Sequence, residues 1–559
     1  MTRLRRFCEH LRRNGQIFRS FVRAKSAHLW KIAYFGVAAF LFVSAAQNRF
    51  SLPQDPLVQF DLGYLLPALG QLGGGAFEHL YAVNFLYPSF VYIVLRAFGD
   101  FRAIAIVQHL LGLAAGGLFL VSWNRIASFF PRSRLPPRLH QAIGLCGAGI
   151  YLLSNNPVLF ESQIRSDAVC MFFEILSFWF AIEFFYHRTI TQNGRRAILY
   201  AFGAMLSCSL LASLKPSFSL TSLLIVGSVG SLVLGLKRML AEKIMFFGAS
   251  AGAIVILTVL QQFFSRGDEL TKRFLPQTLF AFHAKIIQAQ MRADLNNGAV
   301  PPESRAWLQS ACDDLENEIR RTHALYPKAY RRLGYEPDYL VSVPDALLAR
   351  WHRELDDPSY LQFLGYWYRH SLVNRPLAFA RKVAQQMAVF YSLDCPAFST
   401  RRRLSPNYNA SLAALSNPTC GRLLGRFPAG VSFVERTEHL RSSDTAIDEI
   451  GMVRSCEKFC RRSYLRLLVL ALAVAGWFFL KHKHSAGGLA PVFFVLGFYA
   501  ANLGNVLGIS AIHSMEVPRY SEVQFIAALF AHFWAIRWLI ELGLAKWARL
   551  MPADTVGLN

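Results

Sequence analysis

Acidic residues are scarce in this chain: 35 Asp and Glu stand against 59 Lys and Arg, which leaves a formal charge of +24 over 559 residues. Such an excess is common in nucleic-acid-binding proteins, but zinc-finger spacing, an RNP-like motif and a basic heptad region are all missing. Much of the excess lies in short loops beside apolar segments, where Lys and Arg attract anionic lipid headgroups. The charge pattern therefore argues against a nucleic-acid partner and predicts anionic membrane lipids as partners.

Cysteine is also sparse, with nine residues in the whole chain. That number is too small for a disulfide-stapled fold, although Cys395 and Cys420 form one plausible bridge. Cys456 and Cys460 are four residues apart and have no further Cys or His at zinc-finger spacing. The cysteine pattern therefore predicts no zinc centre.

Apolar segments of membrane-spanning length recur along the chain. Hydrophobic residues make up 53% of it and charged residues 17%, and the mean hydropathy is +0.29. Helical segments of about 20 residues match the thickness of a bilayer core. The predicted spans are 32–46, 101–123, 141–154, 167–186, 197–213, 218–236, 244–264, 465–480, 488–507 and 522–544. The first has no signal-peptidase-like site after it, so we expect it to be retained in the membrane.

One short segment, 81–95, decides the sidedness of the chain. It is apolar but contains Asn84 and Pro88. If it crossed the membrane, the Arg- and Lys-rich loops after spans 2, 4, 6 and 8 would all lie outside, against the preference of basic residues for the cytoplasmic side. The segment is therefore predicted to lie on the outer surface, and both chain ends are predicted to be cytoplasmic.

The predicted fold class is an all-α polytopic membrane protein with about ten transmembrane helices. A mainly helical soluble outer domain lies between spans 7 and 8, because Pro and Gly divide a polar segment of about 200 residues into short helix-like stretches. The predicted divisions are a cytoplasmic basic amphipathic segment (1–30), a transmembrane module (31–264) with a first outer loop (47–100), the outer domain (265–464), C-terminal transmembrane helices (465–544) and a cytoplasmic tail (545–559).

Asp61, in the first outer loop, is the candidate general base. An ionised carboxylate at the boundary of water and lipid can accept the proton of an acceptor hydroxyl. Taken alone, Asp61 is equally compatible with a helix cap or a solvated loop residue. Asp55 is the alternative base, although its position before Pro56 is more typical of a turn.

Glu161, Arg165 and Asp167 form a second charged group at the outer end of the fourth span. The i,i+4 spacing of Glu161 and Arg165 predicts a shared helix face, with Asp167 at the point of membrane entry. A structural ion pair explains this spacing by itself. The functional alternative is an arginine that binds phosphate and is oriented by carboxylates.

Lys215, before Pro216, and Arg519, beside Tyr520, add two cations at the same surface. One interpretation is that each side chain merely snorkels toward water. The other is that each supplies positive charge to a lipid-borne phosphate. His79 is a weaker polar candidate in the first outer loop. Carboxylates and cations thus collect on one side of the membrane, whereas transporters usually keep ionisable groups near the midplane of broken helices.

These positions resemble landmarks of the C-type (GT-C) integral-membrane glycosyltransferases, of the protein O-mannosyltransferase and aminoarabinose-transferase kind. The resemblance covers about 30–265 and 465–544, and the outer domain matches no family. The segments that carry it are Asp61 with Tyr64, Asn84 to Phe90, Phe98-Gly99, Val107 to Gly112, Glu161 to Asp167, Lys215-Pro216 and Pro518-Arg519-Tyr520.

The resemblance implies sugar transfer from a polyprenyl-phosphate donor to a glycan, lipid or protein acceptor on the periplasmic or lumenal side. Asp61 would activate the acceptor, and Arg165, Lys215 and Arg519 would hold the donor phosphate. The residues expected to support them are Tyr64, His79, Glu161, Asp167 and Tyr520. Family members with a paired acidic motif in this loop differ from this chain, since Asp61 has no adjacent acid. The metal requirement therefore stays open, and a divalent cation is the one cofactor considered.

The expected location is a bacterial inner membrane, with the active site on the periplasmic side. Two alternatives lack catalysis. One is a lipid flippase or polysaccharide-export protein, and the other is an assembly subunit that binds partners through its outer domain. A closed outward cavity that brings Asp61 and Arg519 together would favour the enzyme, and a continuous polar path through the helices would favour transport.

Overall fold

The computed structural model describes residues 28–59, 62–77, 80–81, 83–130, 133–235, 240–266, 268–341, 343, 345–399, 404–443, 447, 450–481 and 486–550. Most of the predicted basic amphipathic segment and the end of the predicted cytoplasmic tail lie outside these ranges. Within them every regular element is a helix, and the one isolated β-bridge joins Leu57 to Gln163.

Eight helices of the described chain are long and apolar enough to cross a membrane. The protein is therefore an integral multi-pass membrane protein. These helices are α1 (His28–Phe50), α4 (Arg102–Ile126, extended by a 3-10 turn to Phe129), α7 (Ser166–Thr189), α8 (Gly194–Leu214), α9 (Ser219–Leu234, preceded by the 3-10 turn Pro216–Phe218), α10 (Leu240–Phe264), α21 (Ala486–Ile512) and α23 (Phe525–Leu550). The smaller helices of the first outer loop are α2 (Leu66–Leu72) and α3 (Leu86–Phe98).

A bent pair, α5 (Pro137–Leu153) and α6 (Asn155–Glu161), whose axes differ by 46°, is long and apolar enough to count as a ninth candidate span. The break lies at Ser154, which has extended backbone angles. Pro157 has no N–H to donate to the carbonyl of Leu153, so a backbone hydrogen bond is lost at this point, which favours a bend. After the bend, α6 ends at Glu161, on the side predicted to be the outer surface.

The segment that decides the sidedness forms α3, which is 13 residues long. At 1.5 Å per residue its length is about 20 Å, whereas a bilayer core is about 30 Å thick. It is thus too short to cross as a straight helix, in agreement with the prediction for 81–95. The predicted span 465–480 lies within the 31-residue helix α20 (Gly451–Lys481), which begins in the predicted outer domain.

The segment predicted to form the outer domain is helical, as expected. Its helices are α11 (Glu269–Ala281), α12 (Ala284–Asn296), α13 (Pro302–Leu325), α14 (Leu347–Glu354), α15 (Asp357–Asn374), α16 (Pro376–Phe390), α17 (Ser405–Leu415), α18 (Pro418–Leu424) and α19 (Pro428–Arg441), followed by the short helix α22 (Pro518–Glu522) beside the last span. Helices α11–α15 share one apolar core. Helices α17–α19 pack instead against the first outer loop, the outer ends of α4 and α7, and α8.

Cys395 and Cys420 do not form the predicted disulfide: both are free and buried. They belong to different apolar clusters. Cys395 packs with Tyr464 and the C-terminal spans, and Cys420 packs with the first outer loop. The pairing prediction was wrong because chain position alone could not show that the two ends of 395–420 join separate cores.

Candidate functional site

The candidate site lies where the beginning of α7, the end of α8 and the short helix α22 converge, on the side predicted to be outer. Lys215 follows the last residue of α8 in extended conformation, as expected for a residue before proline. Asp167 lies in the first turn of α7, where the helix dipole favours a negative charge. The Lys215 ammonium forms an ion pair with the Asp167 carboxylate, and these residues are only 9% and 1% exposed.

Three cations predicted from distant parts of the sequence act on this one carboxylate. Lys215, Arg519 and Arg165 all interact electrostatically with Asp167. Tyr520 packs against two of them: its ring centroid is 5.0 Å from the Lys215 Nζ and 5.1 Å from the Arg519 guanidinium carbon. The structure therefore brings together five of the predicted residues, and we call this group the Asp167 cluster.

The first outer loop is bonded to the chain that leads into α7. The Leu57 amide donates to the Ser162 carbonyl at 2.7 Å, and the Ile164 amide donates to the Leu57 carbonyl at 2.9 Å. Val58 and Leu62 belong to the same apolar cluster as Ile164 and residues of α7 and α8. Asp61 and His79 lie outside the described residues, and these contacts fix the chain on the N-terminal side of Asp61 and directly after it.

Tyr64, a predicted supporting residue, contacts this region through a second tyrosine. Its ring packs edge-on against Tyr87, with centroids 5.3 Å apart. The Tyr87 hydroxyl donates to Gln108 at 2.8 Å, and it interacts electrostatically with Tyr64, Arg165 and Asp167. Gln108 in turn donates to the backbone carbonyl of Glu161 at 2.8 Å. Tyr64 is thus joined through Tyr87 to the surroundings of the Asp167 cluster.

Glu161 does not share a helix face with Arg165, so that prediction was wrong. Helix α6 ends at Glu161, and Arg165 has extended backbone angles, because the bonds to Leu57 draw the intervening residues away from a helical path. The Glu161 carboxylate is instead 2.7 Å from Arg49 and 2.9 Å from His109, with all three side chains at most 1% exposed. Gly112 makes room for it, since a Cβ there would meet the Glu161 Oε1 at 1.9 Å.

Asp55, the alternative base, forms an ion pair with Arg436 of α19 at 2.7 Å. Arg436 also lies 3.4 Å from Asp100 at the end of the same loop. Burial raises the pKa of Asp55, whereas the hydrogen bond and charge of Arg436 lower it. The Asp55 carboxylate thus links the first outer loop to the outer domain. Because it is engaged by Arg436, it is less available to accept a proton as a general base.

Arg49 and His109 are the buried polar residues that sequence reasoning missed as parts of this region. A signal for Arg49 was present, since it lies at the predicted outer end of the first span, where the positive-inside preference disfavours a cation. A basic residue on that side needs a compensating reason, and here the reason is the Glu161 carboxylate. His109 offered no such signal, because a histidine in a span is more often a satisfied polar contact.

Within the described part of the chain, no group of three or more His, Cys, Asp or Glu side chains is arranged to hold a metal ion. The metal requirement is therefore not decided by these residues. Comparison of the chain with protein-family models, with curated proteins and with solved structures gives no significant match.

Proposed function

We propose that this protein is a membrane glycosyltransferase of the GT-C kind. It would move a sugar from a polyprenyl-phosphate donor to an acceptor on the outer side of the membrane. The observation that carries the proposal is the Asp167 cluster, in which Arg165, Lys215 and Arg519 act on one carboxylate at the outer ends of spanning helices. A lipid phosphate is held at this depth when its tail stays in the bilayer.

The chemistry assigned to the cluster is stabilisation of the leaving group. When the bond between the sugar and the phosphate oxygen breaks, negative charge grows on the departing polyprenyl phosphate. Fixed cations near that oxygen lower the barrier because they interact more strongly with the transition state than with the donor. Arginine can bind phosphate oxygens in a bidentate way, and lysine acts as a point charge. Asp167 would hold Lys215 in place between turnovers.

Asp61 is the proposed base, which takes the proton of the acceptor hydroxyl as that oxygen attacks the sugar carbon. Support comes from its neighbours: Val58 and Leu62 pack in the cluster that contains the start of α7. Asp55 is less suited, since its carboxylate is engaged by Arg436. An inverting displacement needs a single base, and one available carboxylate in this loop satisfies that need.

Arg519→Ala is expected to weaken binding of the polyprenyl-phosphate lipid, because it removes one of the cations of the Asp167 cluster. The protein would be purified in nanodiscs with added decaprenyl phosphate, and bound lipid would be measured by native mass spectrometry. Arg102→Ala is the matched control, since Arg102 is an outer-surface arginine paired with Asp100. We expect at least about a tenfold loss of affinity for Arg519→Ala, or about 1.4 kcal/mol, and little change for the control.

Equal affinities in both variants would contradict the phosphate role. A transfer assay with a labelled polyprenyl-phosphate sugar then separates an enzyme from a flippase or export protein. An enzyme releases free polyprenyl phosphate and a labelled acceptor, whereas a flippase moves the intact donor across the membrane. Movement without cleavage would overturn the proposal.

The proposed topology has ten crossings, with the second half of α20 as the tenth and both chain ends in the cytoplasm. The proposed location is a bacterial inner membrane with the Asp167 cluster facing the periplasm. In a background that carries Cys146→Ser, we expect an impermeant maleimide to label Arg305→Cys in intact cells. Arg195→Cys, in the first turn of α8, should react only after the cells are permeabilised, as basic segments stay inside. Labelling of Arg195→Cys in intact cells would reject this topology.

A further inference from the structure

A cavity of about 390 Å³ lies at the junction of the outer domain and the membrane module. Its lining residues come from the loop after α13, from α16 and from the segment before α22. They include Lys328, Tyr330, Arg331, Val389, Glu516 and Pro518. We call this space the outer cavity. Pro518 immediately precedes Arg519, and Tyr330 interacts electrostatically with Tyr520, so the outer cavity lies beside the Asp167 cluster.

Two exposed cations line the outer cavity. Lys328 and Arg331 have no ion-pair partner in the described part of the chain. The acid in the lining is already engaged: the Glu516 carboxylate accepts hydrogen bonds from the amides of Arg332 at 2.9 Å and Leu333 at 3.3 Å. The Glu516 carboxylate therefore interacts with the backbone amides of the loop after α13 and holds that loop in place.

Of the two acids near Tyr330, Glu336 carries less than a full negative charge near neutral pH. Asp338 accepts a hydrogen bond from the Tyr330 hydroxyl at 2.9 Å. Burial, together with the neighbouring Asp338 and Glu516 carboxylates, raises the pKa of Glu336 to about 7. Near neutral pH Glu336 is thus partly protonated, and the two cations of the lining meet less opposition.

We propose that the outer cavity binds an anionic group, a phosphate or a carboxylate, of the sugar acceptor. Lys328 and Arg331 would hold this anion, and Val389 and Pro518 would contact the apolar part of the acceptor. The acceptor hydroxyl would then reach the sugar carbon from the aqueous side of Arg519. The identification of the bound molecule as the sugar acceptor rests on the proposed function. Binding of an anion in the outer cavity can be tested without turnover.

The test measures acylation of Lys328 by an amine-reactive reagent, followed peptide by peptide with mass spectrometry. The full chain in zwitterionic nanodiscs is treated with glucose 1-phosphate, glucuronate or glucose at one ionic strength. An anion bound by Lys328 should slow its acylation about twofold when the probe concentration equals its dissociation constant. Lys272, an exposed lysine of α11, is the internal control. We expect protection of Lys328 by an anionic sugar and none by glucose.

The arms of the experiment identify the source of the anion. Protection by phosphatidylglycerol in the nanodisc, without a soluble probe, would assign the site to a lipid-borne acceptor. Protection by the soluble sugars alone would assign it to a soluble acceptor. Arg331→Gln should abolish either protection, and Arg332→Gln, whose side chain does not line the cavity, should not. Unchanged acylation with every anion, or equal protection by glucose, would overturn the anion site.

The inference and the proposed function can fail separately. The double variant Lys328→Gln/Arg331→Gln is expected to keep its affinity for decaprenyl phosphate, because its substitutions lie outside the Asp167 cluster. A loss of that affinity would show that the outer cavity belongs to the donor, and the acceptor assignment would be withdrawn. If Arg519→Ala left lipid affinity unchanged while anions still protected Lys328, the anion site would stand and the proposed donor-phosphate role of the Asp167 cluster would be rejected.

Discussion

Asp61→Asn is expected to lower the rate of sugar transfer by at least about 100-fold, since a positioned general base contributes on the order of 10²–10⁴ in rate. Asn has nearly the same shape but cannot accept the proton of the acceptor hydroxyl. The measurement is turnover of a labelled polyprenyl-phosphate sugar by the purified variant. Binding of decaprenyl phosphate should be unchanged, because the cations of the Asp167 cluster are untouched.

Asp55→Asn is the matched control for this prediction, as it removes a carboxylate from the same loop. Its expected defect is one of stability, because Arg436 loses its partner at 2.7 Å and the loop loses a tie to α19. A hydrogen bond to a charged group is worth about 1.5–3 kcal/mol, and the partial exposure of Arg436 places the cost at the lower end. If Asp55→Asn lost transfer activity while Asp61→Asn kept it, Asp55 would be assigned as the general base. Full activity of the double variant would reject the mechanism.

Lys215→Ala is expected to destabilise the protein by about 3 kcal/mol. The Asp167 carboxylate, 1% exposed, would remain buried without its ion-pair partner. Breaking a buried pair from one side costs about 3–5 kcal/mol, and the lower value is expected because Arg165 and Arg519 still act on Asp167. The measurement is thermal or denaturant unfolding in detergent. The sequence alone described Lys215 only as a cation at the membrane surface, without a buried partner.

The double variant Lys215→Ala/Asp167→Asn separates stability from function. It removes both charges, so most of the lost stability should return. Affinity for decaprenyl phosphate should stay low, since the ammonium that we propose contacts the phosphate is still missing. If the double variant recovered lipid affinity together with stability, the role of Lys215 would be purely structural. A stable Lys215→Ala single variant would show that the pair is not needed to hold Asp167 in the bundle.

The sequence by itself determined the helical, multi-pass character of the chain, and it predicts the side of the membrane on which the charges collect. Both follow from local physical rules: a backbone in lipid must satisfy its own hydrogen bonds, and basic loops stay in the cytoplasm. The same rules predicted that 81–95 would not cross, and α3 is indeed too short. From the sequence, Arg165, Lys215 and Arg519 were expected only to lie on the same side of the membrane. The structure adds that all three interact with the Asp167 carboxylate.

Only the tertiary structure decided which charges are partners. Glu161 pairs with Arg49 rather than Arg165, and Asp55 pairs with Arg436, more than 380 residues away in the chain. Spacing along a sequence describes neighbours within one helix, but these partners come from separate elements whose packing depends on side-chain shape over the whole bundle. The outer cavity has the same origin, since its cations and the Asp167 cluster become neighbours only when the outer domain docks on the membrane module.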